Sequence, residues 1–479
     1  MGTWHNHTGN QSSTVLEQRR PASVEEVAGI VQEAERRNLT VRAVGAGHAW
    51  SDIALTTGIV LDLSGLTQPL DLDDGALRPR PAGAAPLVRV PGGLPIHELN
   101  ERLRADGLAL PNMGGYDAQT IAGVISTSTH GSGLRFPPFP DLVRSLDVVV
   151  AHGEKVRVEP ADGLTDPDAF ARLNPGWTLI QEDDAFYAAT CGLGTLGVIC
   201  ALVLEVRERF WLEEIRTVAG WEQIRDTVTP EGVLEDHEHY ELFLNPYRNA
   251  DGTHHVLVTT RELCPEPPDG EAPGRSMQHP LTELESSFWG TGLILRFLAR
   301  HWGGWMVRQF DGVLDGMSEP SGYRSISYKV FNIGEANHLP AYSMELGVPL
   351  EGNRHLQAVD RILAIAAEQA RRRVYHTSPI ALRFVAPSRA YASMMYQRPT
   401  MMIELIMVVG SRGGEALLAG YERELADLGV RPHWGQLNAL TPERVRALYP
   451  RWDACLAANA RFNASHVFDS PFTRRIGIS

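Results

Sequence analysis

The chain has 479 residues, with 44 basic and 58 acidic side chains that give a formal net charge of −14 at pH 7. Its hydrophobic fraction of 43% and charged fraction of 21% are typical of a globular protein and exclude a disordered or fibrous chain. The acidic balance argues against a nucleic-acid or membrane-surface partner and favours small molecules. Because one hydrophobic core rarely extends over such a length, we expect two or more domains.

The cysteines show neither a metal-binding spacing nor a dense disulfide framework; they are Cys191, Cys200, Cys264 and Cys455. This pattern predicts reduced thiols, no metal site and a cytoplasmic protein. Residues 1–7 lack the basic and apolar regions of a signal peptide, and no apolar stretch reaches membrane-spanning length. We therefore expect no membrane association.

The first elements form a small module of one helix and two strands. Ser23 precedes two glutamates and an apolar stripe at helical spacing, which predicts a capped helix that ends near Arg37. Strands are predicted over residues 40–44 and 59–63, on either side of a glycine-rich turn. A strand at residues 87–90 and a helix from Ile96 to Leu108 follow.

The composition then changes, because residues 111–133 are rich in Gly, Ser and Thr and contain few charges. Such small residues let the backbone approach a ligand closely. A hairpin is predicted over residues 146–151 and 155–158. A second glycine cluster at residues 191–199 leads into a strand at residues 201–206.

The second half of the chain mixes strand-like and helix-like segments, a pattern that predicts a sheet with helices on one face. Residues 265–280 are predicted to be an exposed loop, and the acidic run at residues 235–241 a solvated face. We expect domains at residues 1–207 and 208–440, with residues 441–479 returning to the first domain. The predicted elements are strands at residues 240–244, 255–260, 342–348, 380–385 and 401–409 and helices at residues 356–373, 416–428 and 442–462.

Two glycine-rich turns, at residues 44–52 and 129–133, can present backbone N–H groups to the pyrophosphate of a dinucleotide. Neither fits the Rossmann fingerprint, because Gly45 and Gly47 are followed by no small residue at the third position and by no convincing helix. Taken alone, each cluster is typical of an ordinary tight turn.

Several short motifs occur in a specific order along the chain. GAGHAWSDIA begins at Gly45, VPGG at Val90, GGYDAQTIAGVISTSTHGSG at Gly114, CGLGTLGVI at Cys191 and RPHWG at Arg431. In this order they resemble the vanillyl-alcohol-oxidase-type FAD-linked oxidases, which carry the PCMH-type FAD-binding domain. The similarity is greatest to the branch of alditol oxidases and aldonolactone oxidases.

The resemblance implies an α+β fold, with a two-part FAD-binding domain and a cap domain whose antiparallel sheet is covered by helices. It also implies that His48 is joined covalently to the 8α-methyl carbon of FAD. From the residues alone, a histidine that caps its turn by hydrogen bonding is the alternative. Residues 111–123 contain no cysteine, so a single covalent link is expected.

By the same resemblance, FAD lies along the glycine-rich segments, with Thr120 near the flavin ring and His130 near the phosphates. Val198 and Ile199 are expected beside the adenine or ribose. For His130, a polar residue satisfied within its own turn is an equal alternative. The residues expected to contact FAD are Val44, Gly45, Ala46, Gly47, His48, Ala49, Gly114, Gly115, Thr120, Gly123, Ser126, Thr129, His130, Gly131, Gly133, Gly192, Gly197, Val198, Ile199 and His433.

On the substrate side the chain departs from the family pattern. Arg383 matches an arginine of the alditol oxidases, but Ala381 stands in place of their glutamate. Gln436 stands in place of the lysine after His-Trp-Gly, and Glu404 occupies the position of a histidine. These differences shift the expected site towards negative charge.

Glu404 lies in the apolar run of residues 401–407, where a carboxylate is costly unless it is paired or catalytic. A polar strand position or a structural ion pair with Arg383 is the alternative interpretation. Glu345 matches the glutamate of the family's E-x-x-V-P stretch. We predict Glu404, Arg383, Gln436 and Glu345 as the candidate catalytic residues.

The resemblance implies an FAD-dependent enzyme that oxidises a CH–OH group of a polyol or sugar-like substrate by hydride transfer to flavin N5. The negative charge suggests a cationic substrate, such as an amino sugar or an aminoglycoside-type intermediate. An L-gulono- or D-arabinono-1,4-lactone oxidase and a flavin-binding protein without alcohol oxidase activity are the alternatives. The electron acceptor, O2 or another oxidant, stays open.

Overall fold

The computed structural model describes residues 2–268, 270–274, 291–332 and 341–479, so the loop predicted at residues 265–280 lies partly outside the described residues. The fold is α+β, as predicted. Its strands are β1 (Gly2–His5), β2 (Ser12–Val15), β3 (Glu17–Arg19), β4 (Val41–Val44), β5 (Ile59–Asp62), β6 (Leu87–Pro91), β7 (Leu108–Ala109), β8 (Val143–Val149), β9 (Lys155–Glu159), β10 (Trp177–Gln181), β11 (Val198–Glu205), β12 (Arg207–Glu208), β13 (Trp211–Gly220), β14 (His239–Arg248), β15 (His254–Cys264), β16 (Glu319–Ile326), β17 (Ala341–Pro349), β18 (Ile380–Val385), β19 (Thr400–Val408) and β20 (Arg431–Pro432).

The helices lie between these strands and at the C-terminal end of the chain. They are α1 (Val24–Arg36), α2 (Ile96–Ala105), α3 (Ile121–Ser126), α4 (Pro167–Leu173), α5 (Asp183–Ala189), α6 (Trp221–Ile224), α7 (Val233–Asp236), α8 (Thr291–His301), α9 (Gly303–Met306), α10 (Phe310–Gly316), α11 (Ser327–Phe331), α12 (Arg354–Arg371), α13 (Gly414–Glu424), α14 (Pro442–Leu448), α15 (Trp452–Phe462) and α16 (Pro471–Ile476). None of the described helices is long and apolar enough to cross a membrane.

The N-terminal module follows the sequence prediction closely. The Ser23 side chain accepts a hydrogen bond from the Glu26 N–H, which caps α1. Helix α1 buries Val27 and Val31 against a parallel three-stranded sheet in the order β3-β5-β4. The glycine-rich turn leaves this sheet at the end of β4.

A second sheet, in the order β10-β9-β8-β11-β6, forms the other part of the N-terminal half. The predicted hairpin is confirmed, since β8 and β9 pair antiparallel with Leu146 opposite Val158. Leu99 and Leu103 of α2 belong to the same hydrophobic core as this sheet. The two glycine-rich segments connect elements of this core.

The cap is one antiparallel eight-stranded sheet in the order β16-β13-β15-β14-β18-β19-β17-β20. Helices α12 and α13 cover one face, and their Val359 and Leu418 share a core with Leu346 of β17. The sequence did not predict β13, because its inward face carries the buried Glu214 and Arg216, which break the apolar alternation.

The segment predicted to be helical at residues 442–462 is helical, and the structure divides it into α14 and α15. Pro450 lies between them, lacks a backbone N–H and restricts the residue before it, so one continuous helix is disfavoured. The chain then reaches the N-terminal module, where the Val41 N–H donates to the Val467 carbonyl at 2.7 Å. We retain domain boundaries at residues 207/208 and 440/441 as a proposal.

Candidate active site

The turn after β4 is fixed at both ends by hydrogen bonds to distant parts of the chain. The His7 N–H donates to the Gly47 carbonyl at 2.8 Å, and Gly47 has a φ of 65°, a left-handed conformation that favours glycine. The Trp50 N–H donates to the Gly435 carbonyl at 2.7 Å, and Ser51 Oγ to the Trp434 carbonyl at 2.6 Å. The turn is therefore held directly against the segment that carries His433 and Gln436.

His48 is enclosed by aromatic rings. Its imidazole stacks on Tyr116 with ring centroids 4.4 Å apart and lies 4.8 Å from Trp50 and 5.1 Å from His7. Burial, with a smaller contribution from His7, lowers the pKa of His48 to about 4. Nδ1 of His48 is buried and has no hydrogen-bond partner among the described residues. The side chain is thus a neutral imidazole with an unengaged ring nitrogen.

The glycine-rich segment of residues 111–133 packs closely on this turn. A Cβ on Gly45 would overlap the Thr120 side chain, and a Cβ on Gly131 would overlap Asn112. These glycines are required for close backbone approach. Thr120 immediately precedes α3, so its contact with Gly45 places the turn next to the start of α3.

Most residues expected to contact FAD are partly or fully exposed although they border the hydrophobic core. The partly or fully exposed ones are Gly45, Ala46, Gly47, His48, Ala49, Gly114, Gly115, Gly123, Ser126, Thr129, Gly192, Gly197 and Ile199, and the buried ones are Val44, Thr120, His130, Gly131, Gly133, Val198 and His433. A cavity at the second glycine cluster is lined by Ser126, Gly192, Gly197 and Ile199 together with apolar side chains.

Arg42, which the sequence analysis missed, joins the two glycine clusters. Its guanidinium donates to the carbonyls of Ile53, Leu193 and Gly194 at 2.6–2.7 Å. Burial lowers the pKa of Arg42 to about 10. An arginine within the apolar strand β4 was the available sequence signal, because an unpaired charge is rarely buried there.

Residues 129–133 also contact the cap sheet. The Gly133 N–H donates to the Phe384 carbonyl at 2.7 Å, and His239 Nδ1 donates to the Ser132 carbonyl at 2.7 Å. Ser132 Oγ donates to the Tyr240 carbonyl. This segment therefore connects the expected flavin side to strands β14 and β18.

The predicted substrate-side residues come together on adjacent cap strands. Glu404 of β19 lies opposite Glu345 of β17 on one side and Ala381 of β18 on the other. Arg383 Nη1 is 2.7 Å from Glu404 Oε2 and 3.7 Å from Glu345 Oε1, so the ion pair considered for Glu404 is present. The side chains of Arg383 and Glu404 keep 14% and 17% exposure. They form the open end of an otherwise buried cluster.

Glu241 is a second partner of the same arginine, because Arg383 Nε donates to Glu241 Oε1 at 2.8 Å. Burial raises the pKa of Glu241, but Arg383 and Arg261 outweigh it and the net shift is downward. The prediction that residues 235–241 form a solvated face is therefore wrong for Glu241 and His239, which are buried. The sequence signal for this burial is the spacing of His239 and Glu241, because residues two apart on a strand place their side chains on the same face of the sheet.

Glu345 lies beneath the Arg383–Glu404 pair. Gln436 Nε2 donates to Glu345 Oε2 at 3.4 Å, and Ser343 Oγ donates to Gln436 Oε1 at 2.6 Å. Burial raises the pKa of Glu345, but His130, His433 and Arg383 outweigh burial and lower it to about 2. Glu345 is therefore an ionised carboxylate.

Two histidines flank this carboxylate. His130 Nε2 is 3.4 Å from Glu345 Oε1, which places a residue expected near FAD phosphates beside a cap carboxylate. The His433 N–H donates to the Glu345 carbonyl at 2.9 Å, and burial lowers the pKa of His433 to about 4. Both histidines thus lie where the flavin-side and substrate-side segments meet.

The chain matches two family models that together span most of its length. Residues 19–159 match an FAD-binding domain, and residues 203–476 match the D-arabinono-1,4-lactone oxidase family. The chain belongs to the D-arabinono-1,4-lactone oxidase family. The predicted family and the predicted class, an FAD-dependent oxidoreductase acting on CH–OH donors, are confirmed.

Relatives of this family member match over nearly the whole chain. It is 29% identical to L-gulono-1,4-lactone dehydrogenase of Mycobacterium tuberculosis, over 99% of this chain and 98% of that protein. It is 26% identical to alditol oxidase of a Streptomyces species, over 98% and 97% of the two chains. A solvent-stable cholesterol oxidase structure has a TM-score of 0.77 at 16% identity, over 99% of this chain and 97% of that chain. The last similarity confirms the fold.

Proposed function

We propose that this protein oxidises a CH–OH group of a polyhydroxylated sugar lactone or alditol. The observation that carries the proposal is the Arg383–Glu404 pair, which stays partly open at the end of a buried charged cluster. A paired carboxylate and guanidinium at an opening can bind and polarise a hydroxyl group. The relatives named for L-gulono-1,4-lactone and for alditols support this class of substrate.

FAD, when bound, supplies the hydride acceptor for this chemistry. The segments proposed to hold it are residues 44–49, 114–133 and 192–199. Their support is the close backbone approach at Gly45 and Gly131 and the row of partly exposed small residues.

His48 is proposed as the covalent attachment point of the flavin. A ring nitrogen must carry an available lone pair to form such a bond. The lowered pKa of His48 and the unengaged, buried Nδ1 among the described residues support this role. The stacked Tyr116 would keep the imidazole in one orientation.

On the substrate side, Arg383 is proposed to polarise the reacting hydroxyl group and Glu404 to accept its proton. Glu404 Oε2 accepts from Arg383 Nη1 at 2.7 Å, and Glu404 Oε1 lies 3.3 Å from Ser343 Oγ, whose single hydrogen is donated to the nearer Gln436 Oε1. The contact with Arg383 therefore orients the carboxylate. Gln436 would orient the neighbouring hydroxyl groups through its contact with Ser343.

A cationic amino sugar is a second candidate substrate. The observation in its favour is that three carboxylates, from Glu241, Glu345 and Glu404, surround the single guanidinium of Arg383. A substrate ammonium group would compensate the excess of negative charge.

Anaerobic reduction of the bound flavin by a substrate panel tests the proposal. We expect neutral lactones and alditols to bleach the flavin faster than amino sugars do. Glu404→Gln should slow reduction by about 10²–10⁴-fold, as expected for loss of a general base. The matched variant Glu368→Gln, whose carboxylate on α12 is partly exposed and pairs with Arg371 and Arg372, should reduce at the wild-type rate.

Faster reduction by amino sugars would favour the second candidate. Failure of every substrate to bleach the flavin would contradict the enzyme proposal and favour a flavin-binding protein without alcohol oxidase activity. Mixing the reduced enzyme with O2 or with a dye acceptor then identifies which acceptor reoxidises the flavin.

The covalent link has its own test. Denatured protein should keep flavin fluorescence on a gel, and His48→Ala should lose it. His7→Ala, which removes the neighbouring imidazole, should keep the fluorescence. Release of all flavin from the wild type by acid precipitation would show that the link is absent.

A further inference from the structure

A row of oppositely charged side chains crosses one face of the cap sheet, and we call it the charge ladder. Along it, Glu214 contacts Arg216 at 2.7 Å and Arg261 at 2.6 Å, and Arg261 contacts Glu241 at 3.2 Å. Glu241 then contacts Arg383, which contacts Glu404 and Glu345. The members are Arg216, Glu214, Arg261, Glu241, Arg383, Glu404 and Glu345.

The charges of the ladder do not balance. Among the described residues it contains four carboxylates, on Glu214, Glu241, Glu345 and Glu404, and three guanidinium groups. An uncompensated charge is costly in a buried site. At the Glu345 end, two carboxylates share the Arg383 guanidinium, so a positive charge beside Glu345 would stabilise this end of the ladder.

Three histidines lie near the ladder, and two of them are neutral. Burial lowers the pKa of His239 to about 3 and that of His433 to about 4. Neither can supply the charge near neutral pH. His130 is the histidine in contact with Glu345.

The hydrogen bonds of His130 determine where its protons lie. His130 Nδ1 is 2.8 Å from the Gly131 carbonyl, which can only accept, so Nδ1 carries a hydrogen. Glu345 Oε1 is buried, has no hydrogen-bond partner among the described residues and lies 3.4 Å from Nε2 of the same ring, so a neutral ring would leave two acceptor atoms next to each other. Two acceptors facing each other in a buried site repel, whereas a proton on Nε2 makes the contact attractive.

We propose that His130 is an imidazolium that completes the charge ladder and acts as a positioning residue for the substrate-facing pair of Arg383 and Glu404. This inference rests on the proposed function for the role of that pair, but the protonation of His130 follows from the ladder itself. It assigns His130 to the substrate side of the site.

The positioning works through a shared guanidinium nitrogen. Arg383 Nη1 is 2.7 Å from Glu404 and 3.7 Å from Glu345, so the two carboxylates compete for it. With His130 charged, Glu345 is compensated and Arg383 remains with Glu404. Without that charge, Glu345 attracts Nη1 away from Glu404 and the substrate-facing pair changes its geometry. With His130 charged, Glu345 and Glu404 are compensated without a substrate cation, so a neutral substrate fits this end of the ladder.

The charged and titratable groups around His130 come from several elements. Glu345 lies on β17, Arg383 on β18, Glu404 on β19, and His433 directly after β20. Gln436 contacts Glu345 but carries no charge. The electrostatic environment of His130 therefore depends on all of these elements.

The first test measures protonation directly on the holoenzyme. Ring nitrogen NMR of histidine-labelled protein, assigned with His130→Gln, should show hydrogens on both nitrogens of His130 at pH 7. In Glu345→Gln the ladder has equal numbers of both charges, so His130 should carry one hydrogen, on Nδ1. A singly protonated His130 in the wild type would overturn the proposal, as would an unchanged doubly protonated ring in Glu345→Gln.

The second test measures flavin reduction by a neutral substrate in three variants: His130→Gln, Glu345→Gln and the double variant. His130→Gln leaves one negative charge uncompensated and should lower kcat/KM by at least about tenfold, a size expected for coupled residues in one network. Adding Glu345→Gln to His130→Gln removes the uncompensated negative charge and should recover part of the lost kcat/KM. Losses that simply multiply in the double variant would overturn the proposal.

The NMR result separates this proposal from the proposed function. A doubly protonated His130 in a protein whose flavin no alcohol reduces would leave the charge ladder intact and contradict only the oxidase activity. If His130→Gln does not fold, Glu345→Gln and the wild type still decide the protonation, with His130 assigned by its coupling to Gly131.

Discussion

Replacement of Arg383 by methionine removes the guanidinium that holds the substrate end of the charge ladder together. The methionine side chain fills similar space, but Glu241 and Glu404 lose partners at 2.8 and 2.7 Å. Breaking one side of a buried ion pair costs about 3–5 kcal/mol, and partial hydration of Glu404 at the opening favours the lower end. We therefore expect the free energy of unfolding to fall by about 3 kcal/mol.

Urea unfolding followed by tryptophan fluorescence at pH 7 measures this change. Arg361→Met is the matched control, because Arg361 forms a bidentate pair with Asp427 at 2.5 and 2.9 Å on the exposed surface. Its unfolding midpoint should stay at the wild-type value, since exposed pairs contribute little. The loss of stability in Arg383→Met should also shrink at lower pH, where protons neutralise the carboxylates that have lost Arg383; Glu241 keeps Arg261 at 3.2 Å. Equal midpoints for the two variants would refute the argument.

Further predictions concern acid stability and the glycine clusters. The pKa of Glu345 is lowered from 4.5 to about 2, so its contribution to stability is present above pH 4.5 and is lost as the pH falls towards 2. Glu345→Gln should flatten the acid limb of a stability-against-pH curve, and an unchanged limb would contradict the pairing with His130. Arg42→Met leaves three carbonyls without their donor and should destabilise the protein by about 2–4 kcal/mol. In a His48→Ala background it should also lower the flavin-to-protein absorbance ratio after gel filtration, whereas an undiminished ratio would show that the two clusters hold their positions without Arg42.

Some features of the fold follow directly from local sequence. Ser23 and the glutamates after it are sufficient to begin α1, because capping depends on neighbouring residues alone. The β8–β9 hairpin is also local, because its two strands are adjacent in the sequence and pair with each other. In contrast, β13 was missed because its buried Glu214 and Arg216 break the apolar alternation. They pair with each other, but Glu214 also needs Arg261 of β15, which lies far along the chain.

On the proposed flavin side, the backbone geometry of each short glycine-rich motif is local and follows from its own sequence, while the contacts with FAD stay a prediction. His48, Gly45 and Thr120 were all named from their motifs, and the structure brings them together through close backbone approach. What the sequence could not indicate is that Arg42 joins the clusters. Its three acceptors lie at residues 53, 193 and 194, which only the folded chain brings near.

The substrate side depended on tertiary structure to a much greater degree. The sequence by itself determined that the chain has an FAD-binding domain, a cap and unusual residues at positions 381, 404 and 436. Only the folded sheet decided that Glu345, Glu404, Arg383 and Glu241 share one face, because a register shift of one residue would move a strand's side chains to the other face. The contact of His130 with Glu345 likewise joins segments that lie far apart in the chain, and the charge balance of the site depends on it.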